Sequence, residues 1–427
     1  MSLKPDQIAR QVLDALAHDY AGMPECNDGQ AAYWATAFQR AARNKLLSDK
    51  ALYQHMTQRL AGLRDHNLCF LTGPNCSYAP ETCGFEVRRF EDALWVTRVR
   101  HDERVRPGDA LTTIGAVGLD DYLARCPGNP TGSDDPERQS WDAVLSQATH
   151  SRVRRADGSA IDLKLRRFPA QGDTYDPCEL RVLEDGTRVL RVTQLDDGEL
   201  GELVVSHTDE LARAPRLVID VRTCTGGAET NAYPLLDYLF DEDGDLRDIE
   251  GPETVLTNYT EANCRRREAQ IAQLRALTHA QGDEEMRATL SWLDDNLETV
   301  RANRGKGYVE ETAKADARPV HAGPAGQRVV LLTDTACADA AEWLVRLAQS
   351  SSRVTTVGRA TAGSLDYANP LAMAFEDRFI FVYPMSKTKA AAEGRGMRGV
   401  GIAPDVVVPF TPQECVEDVV LARALEL

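Results

Sequence analysis

The sequence has no Cys-x-x-Cys pair, no surplus of positive charge and no apolar run long enough to cross a bilayer. Ten cysteines are present, at 26, 69, 76, 83, 126, 178, 224, 264, 337 and 415, but their irregular spacing supports neither a zinc site nor a disulfide framework, and they read as free thiols. The 49 Lys and Arg stand against 66 Asp and Glu, a formal net charge of −17 that argues against nucleic acid or an anionic membrane as partner. The opening MSLKPDQIARQVLDALAHDY carries charges throughout and no apolar core, so no signal peptide is predicted and a cytoplasmic location is expected. The acidic stretch DEDGD (241–245) lacks the EF-hand register around its glycine. No metal or other cofactor is expected. Internal repeats and low-complexity linkers are also lacking, and no feature speaks to oligomeric state.

What remains is a globular composition: 427 residues, 43% of them apolar, enough for two or three domains. Residues 1–62 show helical periodicity in IARQVLDALAHDY, AAYWATAFQRAARNKLL and ALYQHMTQRLAGL, and predict a helical N-terminal region. Residues 63–175 form a loop and a β-rich segment, with alternation in GFEVRRFEDALWVTRV, a turn at Pro107-Gly108-Asp109 and a hairpin turning at Asp157-Gly158. From 176 to 427 strands such as RLVIDV (216–221) and QRVVLLTD (327–334) alternate with helices such as AAEWLVRLAQS (340–350), which predicts an α/β core with a parallel-rich sheet. Residues 255–315 interrupt it with polar, charged helix, read as an inserted helical hairpin whose role as a lid is left open.

Four stretches, in order and spacing, resemble the C-terminal processing peptidases and tricorn-type serine peptidases over most of the chain from about residue 60. RPGDALTTIGAVGLDDYL (106–123) is similar to part of a PDZ domain, with CGFE (83–86) where its carboxylate-binding loop stands. LVIDVRTCTGG (217–227) resembles the family's strand ending in paired glycines. CADAAE (337–342) resembles its Ser-Ala-Ala-Glu turn, and VTTVGRATAGSLDY (354–367) with VGIAPDVVV (400–408) resembles its closing motifs. The resemblance implies a peptidase-like α/β core, a PDZ-like β module and a peptide or protein as substrate or partner.

The resemblance also places the site. Its nucleophilic serine falls on Asp339, its late carboxylate on Arg398, and its histidine in LRDHNLCF (63–70), where strict spacing selects Asn67 and His66 is one residue away, beside Asp65. Gly226 and Gly227 with the N–H of Ala340 correspond to the oxyanion hole. Gly84 and Phe85 correspond to the peptide-binding loop. Lys387 and Lys389 stand where the serine/lysine branch needs a lysine.

Each residue carries a plainer reading too. Asp339 and Glu342 have the spacing of a helix capping box. Arg398 sits in a polar GRGMRG loop, where it either pairs with Asp339 or is a surface arginine. Cys337 is a rival nucleophile, with His66 as its base, or a small buried apolar residue. Two functions compete. One is a peptide-directed protein that processes or modifies its substrate by non-classical chemistry. The other is a catalytically silent homologue that binds peptides or partner proteins.

Overall fold

The computed structural model describes residues 3–23, 48–125, 131–170, 176–278, 284–313 and 317–427. The predicted helix over 31–47 lies outside them. The chain divides into two compact units. The first is assembled from Met1–Tyr78, Pro252–Ala313 and Asp366–Gly396, the second from Ala79–Gly251, Lys314–Leu365 and Met397–Leu427. This division cuts across the linear boundaries 1–62, 63–175 and 176–427. The hairpin predicted as an insertion in the α/β core belongs to the same unit as the N-terminal helices.

In the first unit, helices Pro5–His18 and Asp49–Ala61 bury Ile8, Val12, Leu16, Leu52 and Met56, apolar positions that recur every three or four residues. Ser48 starts the second helix, its Oγ accepting the Ala51 N–H at 3.2 Å. Beside them lies a five-stranded antiparallel sheet built on the long hairpin Tyr367–Phe375 and Phe379–Thr388, with Phe70, Phe379, Phe381 and Tyr383 in the core. The polar segment does hold two helices, Glu261–Thr278 and Glu284–Asn303. Strands Glu253–Tyr259 and Gly307–Ala313 bracket them and pair with each other. These strands escaped the periodicity reading because each is half-buried at most along its first residues and merges with charged helix.

The second unit contains a β module and a mixed sheet. The module is a five-stranded antiparallel sheet, Phe85–Phe90, Ala93–Val99, Ala110–Leu111, His150–Arg154 and Ala160–Lys164, closed over Leu94, Val96, Trp141 and Leu163. The hairpin turns at Asp157-Gly158 as predicted, with Gly158 at φ 83°. The larger sheet has six strands in the order Cys178–Val182, Arg188–Val192, Arg216–Asp220, Arg328–Thr333, Val354–Gly358, Val406–Val407, parallel throughout except for the first pair. Its central strands read as unbroken apolar runs because both faces are covered. In such a sheet, ligands collect at the carboxyl ends of the strands. Four adjacent strands here deliver their following loops, at 193–198, 221–228, 334–339 and 359–364, to that one edge.

An ion cluster ties the C-terminus to this edge. Arg222 grips Asp220 (2.8 and 2.9 Å) and Asp418 (2.8 Å twice), and Asp418 also caps the last helix through the Leu421 N–H. Burial acts to raise the Asp418 pKa, but the Arg222 hydrogen bonds and charge prevail and hold it below the usual carboxylate value. Arg222→Ala leaves the buried Asp220 without its cation and is expected to cost about 3–5 kcal/mol in urea unfolding, with Lys recovering only part. Because the folded Asp418 pKa is depressed, its contribution is present above the ordinary carboxylate range and is lost as pH falls through the folded value. Stability-versus-pH curves of the wild type should show that acid loss, and Arg222→Ala should flatten it.

Candidate active-site cleft

The strand Arg328–Thr333 runs through a short turn into helix Ala340–Ala348, with Asp339 at the corner. Its backbone stands at φ 52°, ψ −124°, a conformation that costs a residue with a side chain about 1–3 kcal/mol. The predicted capping box is absent. Asp339 makes no side-chain capping bond, because its positive φ swings the carboxylate off the helix axis. The side chain lies instead against the glycine loop: a Cβ built on Gly226 would be 3.2 Å from Asp339 Oδ2.

Glu342 does not reach back to the cap either. It is fully buried, and its carboxylate accepts the Thr361 hydroxyl, the Gly363 N–H (2.7 Å), the Ser364 N–H (2.5 Å) and the Ser364 hydroxyl (2.6 Å). Ser364 Oγ in turn accepts the Asp339 N–H at 2.7 Å. Arg138 also holds this loop, donating to the carbonyls of Thr361 (2.6 Å) and Ala362 (3.3 Å) and to that of Val400. The loop 361–364 that holds the corner is thus clamped between a buried carboxylate and a guanidinium.

The paired glycines are pinned to the neighbouring strand end. Leu195 donates to the Gly226 carbonyl (3.2 Å) and accepts from Ala228 (2.9 Å) and from Asn231 Nδ2 (2.8 Å). Gly227 stands at φ 122°, and a Cβ there would fall 2.3 Å from the Leu195 carbonyl, so only glycine fits. Among the described residues no acceptor receives the N–H of Gly227 or of Ala340. Gly227 belongs to the glycine loop that Asp339 lies against, and Ala340 follows Asp339 in the chain. The cleft in front of them has a volume of about 600 Å³ and is lined by Glu86, Asp196, Gly226, Gly227, Asp339 and four Thr and Gln side chains. Its lining holds three carboxylates and no Lys or Arg.

The remaining sequence candidates separate. Cys337 is fully buried; its thiol bonds to the Val221 carbonyl at 3.0 Å, and burial pushes its pKa well above the usual thiol value. Such a thiol supplies almost no thiolate at neutral pH and no path to a substrate, so geometry withdraws it as nucleophile. Arg398 is half-buried in the second unit. Met397 before it presses its carbonyl on Gly363, where a Cβ would be 2.2 Å away, so Arg398 hangs from the same loop that holds Asp339.

His66 lies in the first unit and is exposed. Asp65 beside it is buried, accepting the Tyr20 hydroxyl at 2.7 Å and the Asn67 N–H at 2.9 Å, while Asn67 Nδ2 donates to the Tyr367 carbonyl at 3.0 Å. Lys387, also in that unit, lies with Nζ 4.4 Å from the Tyr308 ring centroid, and Lys389 pairs with Glu310 at 3.1 Å. In the module Gly84 stands at φ 80° and its carbonyl accepts from Arg100 and His101 at 2.9 Å. The Phe85 ring faces the module's own core, so that residue can offer a ligand only its backbone.

Sequence reasoning missed Glu86, Asp196, Arg138 and the anchoring role of Ser364. Ser364 does sit inside the quoted VTTVGRATAGSLDY stretch, but nothing in its spacing distinguishes an anchor from a loop serine. Among the described residues no group of three His, Cys, Asp or Glu side chains is placed to hold a metal ion, and no helix is long and apolar enough to cross a membrane.

Comparison with known proteins bears on the fold. Mature CPAF complexed with lactacystin superposes with a TM-score of 0.63 at 14% identity, covering 96% of this chain and 95% of that one. Mature CPAF alone gives 0.61 at 14% identity, with 96% and 94% covered. At that identity the likeness is one of fold. The model of Peptidase family S41 matches residues 188–408, the span that holds the six-stranded sheet from its second strand on, both site loops and the clamped corner. That match takes in more than half of the sequence, and the chain belongs to Peptidase family S41.

Proposed function

We propose that the second unit binds an extended polypeptide in the cleft and that recognition has replaced serine hydrolysis there. The observation that carries this reading is the Asp339 carboxylate, held against Gly226 at the corner where the family's serine is expected. A carboxylate attacking an amide carbonyl gives a tetrahedral adduct that expels the carboxylate again more readily than the amine, so the anhydride does not accumulate and serine-type chemistry does not transfer to it. An anion beside the Gly227 and Ala340 donors also opposes a developing oxyanion. The same anion accepts well from a peptide N–H or an amine, and Asp196 adds to the preference for a cationic or donor-rich segment, while Glu86 at the same wall is already held by Arg100, whose Nε donates to it at 2.7 Å.

The module's place in this reading is PDZ-like. Strand Phe85–Phe90 pairs only with Ala93–Val99 among the described strands, leaving an edge on which a peptide can add as a further strand. Glu86 on that strand lines the cleft with Asp339, so a peptide docked there is directed at the corner.

A second reading is favoured by one observation, the strained φ at Asp339, which a pure binding site does not need. In it Asp339 remains chemically active on a substrate less demanding than an amide, with the backbone donors polarising it.

Fluorescence anisotropy against a library of basic and acidic peptides, run beside a casein turnover assay, separates these. Binding of basic peptides without turnover is expected, and Asp339→Asn should weaken it roughly tenfold, the scale of a charge-assisted hydrogen bond. Turnover that is lost in Asp339→Asn while binding survives would establish the second reading. Turnover abolished by Cys337→Ala at unchanged stability would sink both.

Ser364→Ala is a control on the corner itself. It leaves the Asp339 N–H without its acceptor and should cost about 1–3 kcal/mol in thermal unfolding, with weaker peptide capture.

A further inference from the structure

The first unit has a cavity of its own, about 230 Å³, between the helical hairpin and the sheet. Arg267 reaches it from helix Glu261–Thr278, Trp292 and Asn296 from helix Glu284–Asn303, and Met385 from the sheet. Trp292 is 54% exposed, an unusual state for the largest apolar side chain.

Arg267 is the informative residue. Its Nη1 donates to Gln270 Oε1 at 2.8 Å, and its Nε and Nη2 reach a single oxygen of Asn296 at 3.4 and 3.3 Å. No carboxylate among the described residues pairs with it. Elsewhere in this unit the arginines do find acids: Arg266 with Asp19, Arg304 with Glu268, Arg378 with Asp49. A guanidinium has five N–H donors in a planar fork, and Arg267 spends three of them on two neutral amide oxygens. Burial pushes its pKa down, as it does for a cation without a counter-charge.

Two acids also line the cavity. Glu311 accepts the Tyr259 hydroxyl at 2.8 Å, and Asp295 lies at the exposed rim. Their charge opposes a phosphate dianion, while a single carboxylate opposite the Arg267 fork is matched in both shape and charge. The cavity is smaller than the roughly 300–1,000 Å³ typical of drug-sized ligands, which favours a compact one.

We propose that this cavity binds a small carboxylate, its two oxygens on the Arg267 guanidinium and its apolar part against Trp292 and Met385. An aliphatic amino acid and the C-terminal residue of a peptide share that chemistry. The site is independent of the peptide cleft in the second unit, and either can fail without the other.

The test is a titration of the full chain with N-acetyl-L-leucine, L-leucine, L-leucinamide and a tripeptide ending in leucine, read by tryptophan fluorescence and by shift of the thermal midpoint. Saturable binding of the carboxylates in the millimolar range or tighter is expected, with none for leucinamide. L-leucine binding without the tripeptide identifies the free amino acid as the source, and the tripeptide binding as well admits a chain terminus. Arg267→Gln should weaken binding roughly tenfold or more, and Trp292→Phe should remove the fluorescence change. Arg267→Gln should also leave the thermal midpoint of the ligand-free protein unchanged or higher, because it removes a desolvated, uncompensated cation. Equal binding of leucinamide, unchanged binding by Arg267→Gln, or a lowered midpoint in that variant would each overturn the proposal.

Discussion

Glu342 places a carboxylate at a position with no solvent exposure, and four donors from Thr361, Gly363 and Ser364, all in one loop, converge on it. Burying a carboxyl group is tolerable only when its oxygens are satisfied in this way. The consequence is rigidity, since no single bond can be given up without leaving a buried polar atom unpaired. Ser364 carries that rigidity one step further by accepting the Asp339 N–H, and Arg138 adds to it by holding three carbonyls of the same neighbourhood. The corner is therefore over-determined, the condition under which a strained backbone persists.

Within such a frame the chemistry of the cleft depends on one side chain. The N–H groups of Gly227 and Ala340 belong to the backbone and do not change when position 339 changes. With a neutral hydroxyl between them, they favour a substrate oxygen that gains negative charge. On the proposed reading, a carboxylate beside them reverses the local field and favours a guest that brings an N–H or a positive charge. The scaffold of a hydrolase can in this way select ligands of the opposite polarity without moving a strand.

Much of the second unit was legible in the sequence because its central strands are buried on both faces and read as apolar runs between glycine-rich turns. The parallel alternation, the 157–158 turn and the adjacency of the 226–227 loop to position 339 all followed from that pattern and from the family's motif order. The first unit was less legible. It is assembled from three separated stretches, and strands 253–259 and 307–313 lie next to charged helix, where neither a period of two nor an apolar run is sustained. Spacing also misled at the corner. Asp339 and Glu342 are three residues apart, as a capping box requires, but spacing does not encode φ, and φ decides where the carboxylate points. Arg267 was unreadable for a different reason: an arginine in a charged helix looks solvated until the sheet beneath it is known.

Four other helix starts among the described residues contrast with the conformation at 339. Ser48, Asp245, Thr388 and Asp418 each cap a helix with a side-chain oxygen, and they do so at φ −146°, −123°, −69° and −83°. Asp339 has the same kind of oxygen at the same kind of position, yet stands at φ 52° and forms no such cap. A cap at negative φ is worth on the order of 1 kcal/mol, and the positive φ costs about as much again or more, so the corner forgoes one stabilising term and accepts a destabilising one. What the unusual φ achieves is to aim the side chain at the glycine loop. A protein that had lost all use for that aim would gain stability by relaxing it, and the clamp formed by Glu342, Ser364 and Arg138 is the physical reason it has not.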